Sequence, residues 1–433
     1  MKKLKRAERK DLNKKKNIII LNNTKGITLI ALVITIIVLI ILAGVSINLV
    51  LGDNGIVTKA KLAKEQTEQA KLNEEMGLNE TAKYLEKMGT SGGTVNPPET
   101  MKTVAEVKGG DYFTKPTTIK DSNGNLIKVP EGFKVAEDSG INVTEGIVIE
   151  DNDIITGVGN NRGNQYVWVP VGKGIKKADG SAVDITLGRY TFANGTPILR
   201  QNADNYTQEV VIGSSFKELT TYREGVASSG LDGLNTTSRG KQKEDGTYEG
   251  IKSFIDSVRA NGGYYIARYE ASYGTDGKAN SKVSSSYSAT TAPTKEGTLW
   301  NFVTQLSAAT ASRGLYNTAT TDLINSYAWD TAIVYIQNFS GNTDYSRQDG
   351  KSINSSLTNT GANNDEKCKI NDMASNTFEW TTEYSTLTDS SYAYPCTCRG
   401  GYYNDSSFCT SYRVRLDSTF SGESYAFRPT LYM

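Results

Sequence analysis

The sequence contains no histidine, and this absence excludes several kinds of catalytic and metal site. Without an imidazole the chain cannot form a Ser-His-Asp or Cys-His nucleophile system, a histidine-ligated zinc site or a histidine pH switch. The glycine-rich segments also contain no phosphate-binding loop ending in Lys-Ser or Lys-Thr, so a nucleotide site of that type is not indicated. Carboxylates, tyrosines and a few cysteines remain as groups that can carry chemistry.

Cysteine is scarce, and all four cysteines occur late in the chain, at Cys368, Cys396, Cys398 and Cys409. A four-cysteine zinc site normally has two pairs of ligands, each about two to four residues apart, and only Cys396 and Cys398 are close here. Disulfides form in oxidising compartments, but a bridge between these two neighbours has poor geometry. The expected bridge therefore joins Cys409, or Cys368, to one of the close pair.

The net charge of +1 is the sum of two unlike parts. Residues 1–25 contain ten Lys or Arg against Glu8 and Asp11, a net charge of +8, which leaves −7 for the rest of the chain. Because the rest is mildly acidic, nucleic acid is not expected as its partner.

Residues 27–51 contain no charged side chain, and 18 of the 25 are Ile, Leu or Val. As a helix this stretch would be about 37 Å long at about 1.5 Å per residue, and a bilayer core is about 30 Å thick. Basic flanks stay in the cytoplasm, so the sequence predicts a single-pass cell-membrane protein with an extracytoplasmic carboxy-terminal domain. The alternative, a secretory signal, usually has a shorter apolar core of about 7 to 15 residues.

Residues 25–31 (KGITLIA) resemble the cleavage and methylation site of bacterial type IV pilins and pseudopilins. The resemblance implies that a prepilin peptidase is a partner, that it cuts after Gly26, and that Ile27 becomes the new amino terminus. Pilins typically carry Glu at the fifth mature position, where it can neutralise a neighbour's terminal ammonium within the lipid. Ala31 stands there in this chain, which argues against a structural role in a filament.

Composition divides the chain into five predicted segments. Alanine, leucine and methionine at helical spacings after the apolar run predict an amphipathic stalk helix, and a Ser-Gly-Gly and Pro-Pro stretch after it predicts a linker. The segments are a basic prepilin leader (1–26), a transmembrane helix (27–51), the stalk helix (52–88), the linker (89–100) and an extracytoplasmic domain (101–433).

Within 101–433, aromatic and β-branched runs alternate with Gly, Asn and Asp, as in Gly146–Glu150 and Gln165–Pro170, which is typical of strands. Few helical patterns occur. We therefore expect an α+β fold rich in loops. The three helix candidates are Ile251–Asn261, Leu299–Ser312 and Thr321–Asn338.

Residues 371–381 (NDMASNTFEWT) resemble the DMAGNVWEWT motif of the formylglycine-generating, sulfatase-modifying family. Other segments resemble further family motifs in the family's order. They are residues 264–270 (YYIARYE), 328–332 (AWDTA), 399–401 (RGG), 412–415 (YRVR) and 427–428 (FR). The resemblance implies a C-type-lectin-like α+β domain.

The enzyme of that family holds copper between two cysteines a few residues apart, just after the RGG segment, and soft thiolates suit that metal. Cys409 matches the later cysteine, whereas Asn404 and Asp405 stand near the position of the earlier one. With half of the pair absent, we predict no catalytic residue. An oxidoreductase of the formylglycine-generating type, acting on client cysteines, is the alternative.

The same resemblance implies a calcium site, formed by the side chains of Asp372 and Glu379 and the backbone carbonyls of Ser375 and Thr377. Hard oxygen ligands from one tight loop suit calcium, and two carboxylates supply the charge that such a site needs. The alternative is that Glu379 hydrogen-bonds a loop while its aromatic neighbours fill the core.

Residues 384–432 contain eight tyrosines and nine serines. Tyr supplies rigid contact area and small polar residues supply adaptable hydrogen bonds, a combination found in binding surfaces. The predicted ligand contacts are Tyr402, Tyr403, Asn404, Asp405 and Tyr412, although tyrosines can equally pack a loop-rich core. The sequence thus predicts a membrane-anchored, pilin-like cell-surface protein whose non-catalytic, lectin-like head binds a protein or glycan. A minor pseudopilin of a type II secretion or type IV pilus system is a further alternative.

Overall fold

The computed structural model describes most of the chain after residue 100. The described residues are 101–152, 163–203, 249–362, 364–385 and 396–433, with the strand backbone at Val210–Val211, Thr221–Glu224, Thr388–Asp389 and Tyr392–Ala393. They all belong to the compact unit Met101–Met433. The predicted leader (1–26) with Gly26 and Ile27, the apolar run (27–51), the stalk helix (52–88) and the linker (89–100) lie outside them.

Short strands, connected by turns and loops, make up most of the regular structure in these residues. The helices are α1 (Val104–Val107), α2 (Ile251–Asn261), α3 (Gln305–Ser312), α4 (Ser326–Phe339) and α5 (Gly350–Ile353), with one 3₁₀ turn at Tyr345–Arg347. The strands are β1 (Thr117–Lys120), β2 (Leu126–Val129), β3 (Phe133–Val135), β4 (Val148–Asp151), β5 (Gln165–Pro170), β6 (Gly172–Lys176), β7 (Ala182–Ile185), β8 (Gly188–Ala193), β9 (Thr196–Asn202), β10 (Val210–Val211), β11 (Thr221–Glu224), β12 (Gly263–Ala267), β13 (Ser272–Tyr273), β14 (Ala279–Asn280), β15 (Thr320–Leu323), β16 (Glu366–Lys367), β17 (Ile370–Asn371), β18 (Phe378–Ser385), β19 (Thr388–Asp389), β20 (Tyr392–Ala393), β21 (Cys396–Arg399), β22 (Arg413–Leu416), β23 (Tyr425–Phe427) and β24 (Pro429–Tyr432).

The predicted α+β, C-type-lectin-like class is wrong, because this part of the chain is mostly β-sheet with few helices. Two of the three predicted helices are shorter in the structure than in the sequence. The pattern at Leu299–Ser312 becomes a helix only from Gln305 onward. The pattern at Thr321–Asn338 begins as strand, because Thr321 pairs with Leu431 of β24. In the Thr321 segment, tertiary strand pairing has overridden local helical preference.

The predicted membrane topology is also corrected. No helix in the part of the chain that the structure describes is long and apolar enough to cross a bilayer. A span needs about 20 apolar residues, and α4 has 14. The transmembrane, pilin-like helix and the single-pass cell-membrane localisation therefore have no support in the described residues. The run on which that prediction rested, 27–51, lies outside the described residues.

The first large sheet has the strand order β15-β24-β12-β5-β4-β3, with antiparallel neighbours. Its central strands β12 and β5 pair along their length, with Tyr265 opposite Trp168. Every residue of β12 is buried, so both faces of the sheet must be covered. Helix α2 contacts β12 and helix α4 contacts β5.

The second large sheet has the order β10-β11-β18-β21-β22, and β23 pairs in parallel with the start of β18. All eight residues of β18 are buried. Helix α4 contacts both β5 and β18, and its residues are buried on nearly every side, as expected for a core helix. The strands that carry the predicted site residues are therefore anchored to the centre of the fold.

Candidate functional site

Two arginines and one acid from the family-like motifs form a buried ionic cluster with Glu383 of β18. Arg399 of β21 lies 2.5 Å from Asp330 of α4, and Arg413 of β22 lies 2.6 Å from the same carboxylate. Both arginines also contact Glu383 of β18, at 3.5 and 3.0 Å. All four side chains are fully buried, and their charges cancel, so the cluster satisfies the requirement that buried charges be paired.

The carboxylate of Glu379, a predicted calcium ligand, is bonded by a third buried arginine. Arg428 donates from Nε at 2.6 Å to one oxygen and from Nη2 to the other. Arg428 also donates to the backbone carbonyls of Ala267 and Asn371, at 3.1 and 2.8 Å. Burial raises the pKa of Glu379, and Arg428 opposes that rise. Both oxygens of Glu379 therefore already have a cationic partner.

Glu270 forms hydrogen bonds to the loop that contains the other predicted calcium ligands. Its carboxylate accepts hydrogen bonds from the Thr377 backbone at 3.0 Å and from the side chains of Thr377 and Asn376. Asn376 and Asp372 have positive φ angles, 64° and 62°, a conformation that asparagine and aspartate tolerate better than most residues. Glu270 thus stabilises a tight turn in the loop.

Asp365 and Asp372 connect the same loop to its neighbours. Asp372 accepts hydrogen bonds from the backbone N–H of Gly361 at 2.5 Å and from Thr360 Oγ1 at 3.3 Å. Asp365 accepts from the backbone N–H of Ala374 at 2.8 Å and from Ser375 Oγ at 3.2 Å. These side-chain bonds replace regular secondary structure as the support of the loop.

Four carboxyl groups, those of Glu270, Asp365, Asp372 and Glu379, lie in this region with the single guanidinium of Arg428. Burial, and next the charge of Asp372, raises the pKa of Asp365 to about 7. Burial, Asp372 and Glu379 raise the pKa of Glu270 well above its usual value. Burial and mutual repulsion therefore oppose the ionisation of these carboxyl groups.

Calcium binding at Asp372, Ser375, Thr377 and Glu379 stays a prediction. An excess of buried carboxyl groups suits a cation chemically, but Glu379 would have to exchange Arg428 for the ion. Among the residues described, no three acidic or cysteine side chains are grouped so as to hold a metal.

The predicted ligand residues lie on the segment that follows β21. Gly400 has a φ of 90°, and a Cβ at Gly401 would lie 2.6 Å from the carbonyl oxygen of Ala374, so the chain passes close over that loop. Tyr402 and Asp405 then pair across a short turn. Asn404, at the tip, is exposed.

Asp405 stabilises the turn that contains it. Asp405 accepts a hydrogen bond from the backbone N–H of Ser407 at 2.8 Å, and this bond lowers the pKa of Asp405. Burial, and next the charge of Asp405, raises the pKa of Tyr402. At neutral pH the turn therefore presents a carboxylate beside a neutral phenol.

Tyr402 belongs to a group of rings packed around Phe378, the first residue of β18. The centroid of the Phe378 ring lies 4.5 Å from that of Tyr402, 5.1 Å from that of Phe408 and 5.4 Å from that of Tyr425. Phe378 is 3% exposed, whereas the three rings around it are partly exposed. A buried ring thus supports a layer of half-exposed ones.

Further aromatic pairs extend this layer. Tyr403 meets Tyr402 edge-on at 5.7 Å, Tyr412 meets Phe408 at 5.0 Å, and Phe420 meets Tyr425 at 4.8 Å. The hydroxyl of Tyr403 also donates to Glu423, which fixes its ring. The half-exposed rings are called the aromatic surface. They are Tyr402, Tyr403, Phe408, Tyr412, Phe420 and Tyr425.

The structure brings Tyr402, Tyr403 and Tyr412 together and adds members that the sequence analysis missed. Phe408 lies between two predicted residues and could have been included on position alone. Phe420 and Tyr425 could not, because they join the surface through the parallel pairing of β23 with β18.

The four cysteines are buried free thiols, so the expected disulfide is not formed. Cys396 and Cys398 lie two positions apart in β21 and are fully buried. Burial raises the pKa of both thiols, and it raises that of Cys368 to about 12. Since the thiolate is the reactive form, these three groups are poor nucleophiles and poor metal ligands at neutral pH. Cys409 is 4% exposed, with its sulfur 3.6 Å from Ser411 Oγ.

No protein-family model matches the chain, and no curated protein matches it. Among solved structures, the crystal structure of CarF is similar to 40% of this chain over 87% of its own length, with 14% identity and a TM-score of 0.30. PvdO from Pseudomonas aeruginosa is similar over 58% of this chain and 100% of its own, with 10% identity and a TM-score of 0.26.

A third solved structure, Treponema denticola variable protein 1, is similar over 62% of this chain and 96% of its own, with 13% identity and a TM-score of 0.24. Scores this low carry no argument about the fold or function of this chain.

Proposed function

We propose that the protein is a non-catalytic binding protein whose aromatic surface contacts a protein or glycan ligand. The observation that carries the proposal is the layer of half-exposed rings around Phe378, with Asn404 and Asp405 at its polar tip. Aromatic rings supply a large contact area, and the neighbouring amide and carboxylate supply directional hydrogen bonds.

The support beneath the surface favours a binding role. The rings rest on β18, which is buried along its whole length, and the segment that carries them is tied to Asp330 and Glu383 through Arg399 and Arg413. Ring contacts on several sides restrict the side-chain rotamers before any ligand arrives. A pre-ordered surface loses less conformational entropy on binding, so more of the contact energy appears as affinity.

The cysteine environment supports the non-catalytic part of the proposal. An oxidoreductase acting on client cysteines needs reactive thiols that a substrate can reach. Cys396 and Cys398 lie in the interior with raised pKa values, and Cys409 is nearly covered.

The proposal is tested with the full-length chain on protein and glycan arrays, followed by affinity measurement on the best ligand. We expect the double variant Tyr402→Ser/Tyr412→Ser to lose about tenfold or more in affinity, because half-exposed aromatic anchors dominate such interfaces. The matched control is Tyr112→Ser, a tyrosine of similar partial exposure that lies beside Lys134 on β3.

Equal loss in the control, or no loss in the double variant, would show that the ligand binds elsewhere. Absence of any ligand on both arrays would refute the proposal. Thermal melting of each variant shows whether the fold is retained.

A further inference from the structure

A concave region lies between α2, α3 and the β1–β2 hairpin. It is a groove of about 1320 Å³, larger than the roughly 300 to 1,000 Å³ typical of small-molecule pockets. None of the aromatic-surface residues lines it. The groove is therefore a separate candidate site, here called the helix groove.

One wall of the helix groove is a polar face of α2. Ser253, Ser257 and Ala260 lie at spacings of three and four residues on this helix and line the groove. Phe254 and Val258 point into the hydrophobic core. Helix α2 thus presents these small side chains to the groove together with the polar side chains of Asp256 and Asn261.

Helix α3 also lines the groove, through Leu306 and Thr310, as does Arg313 directly after the helix. Arg313 lies 2.9 Å from Asp322, so its charge is already matched within the protein. The floor includes Tyr432, whose hydroxyl lies 3.2 Å from Ser253 Oγ. Arg313 and Tyr432 are thus held in place by neighbouring groups.

The lining is hydroxyl- and amide-rich. Half of its 24 residues are Ser, Thr, Tyr or Asn, and six are apolar. Such hydroxyls donate and accept hydrogen bonds, as do the hydroxyls of a sugar, whereas a peptide that binds by its side chains needs apolar pockets. Charged residues of both signs line the groove, with Lys128 and Lys278 against Glu249 and Asp256, so no strong field selects an anion.

We propose that the helix groove binds a neutral oligosaccharide of several units. The volume of the groove exceeds that of a typical small-molecule pocket, its hydroxyl and amide groups match a ligand that is polar but uncharged, and its lysines are balanced by acids. The helix groove shares no lining residue with the aromatic surface, so the two sites can be tested separately.

The test is isothermal titration of the full-length chain with cellotetraose, chitotetraose and mannotetraose. We expect at least one to bind, and we expect Ala260→Trp and Thr310→Trp, which place a bulky ring in the groove, to weaken that binding about tenfold or more. Both positions are exposed, so these variants should fold normally. The matched control is Ser307→Trp on α3, which is exposed but does not line the groove.

Failure of all three saccharides to bind would overturn the proposal, as would equal weakening by groove and control variants. Binding of dextran sulfate in place of the neutral sugars would also overturn it, because an anionic ligand would then be favoured. Tyr402→Ser/Tyr412→Ser should leave this binding unchanged, which separates the helix groove from the aromatic surface.

Discussion

At the scale of single residues, Asp365 is a carboxyl whose position opposes its ionisation. It is almost fully buried, it lies near Asp372, and its pKa of about 7 is far above the usual value of 3.8. In the unfolded chain the same group ionises near pH 4. Between these two pH values Asp365 is ionised in the unfolded chain but protonated in the folded chain. A rise in pH within this range therefore favours unfolding.

We therefore expect the free energy of unfolding to fall as pH rises from about 4 to about 7, and Asp365→Asn to remove part of that slope. The contribution of Asp365 is fully present below pH 4 and is lost as the pH passes through the folded-state pKa. Urea unfolding at a series of pH values measures the slope. A variant with the wild-type slope would contradict the assignment, whatever its absolute stability.

The sequence indicated the loop that contains Asp372, but it did not indicate which residues bind that loop. The resemblance pointed to Asp372 and Glu379, yet Glu270 and Arg428, which bind the loop and Glu379, lie far from them in the sequence. Both residues were recognised within motifs, but no local pattern shows which residue each one contacts. This is why the motif alone led to the prediction of a calcium site, whereas the contact of Arg428 with Glu379 was not predicted.

At the scale of elements, the buried ionic cluster fastens α4 to β18, β21 and β22. Each carboxylate is shared by two arginines, so loss of one acid leaves uncompensated buried charge on two strands. Breaking a buried pair typically costs about 3 to 5 kcal/mol, far more than a surface pair.

We expect Asp330→Asn to lower the free energy of unfolding by about 3 to 5 kcal/mol. The matched control, Asp344→Asn, removes a carboxylate that is 56% exposed and paired with Arg347, and should change stability by less than about 1 kcal/mol. Chemical denaturation of both variants provides the comparison. Similar small losses in the two would show that the cluster does not support the fold.

Elements with purely local signals were predicted well. Helix α2 has the predicted bounds, Ile251–Asn261, because its buried residues follow the helical period and Gly262 ends it in a left-handed conformation. Strand β5 likewise has the predicted bounds, Gln165–Pro170. The segment from Thr321 was predicted as helix, because its pairing with β24 at the end of the chain has no local signature.

At the scale of the whole molecule, the calcium prediction concerns a loop that joins several parts of the fold. Glu270 follows β12, Asp365 precedes β16, and Glu379 lies in β18. An ion held there would link these elements and would offset the excess of buried carboxyl groups.

We expect the melting temperature of the full-length chain to rise on addition of calcium and to fall again with chelator. Magnesium, which prefers a tighter and more hydrated shell, is the control and should have a smaller effect. Asp372→Asn should reduce the calcium response. An identical melting temperature with calcium and chelator would rule out the site.

Because all four thiols are buried, unfolding can be measured with a thiol-reactive reagent. A maleimide dye should react slowly with the native chain and quickly once the interior opens, without any engineered probe. Because Cys368 lies apart in sequence from the three later cysteines, mass mapping of the labelled peptides would also report whether the two regions open together.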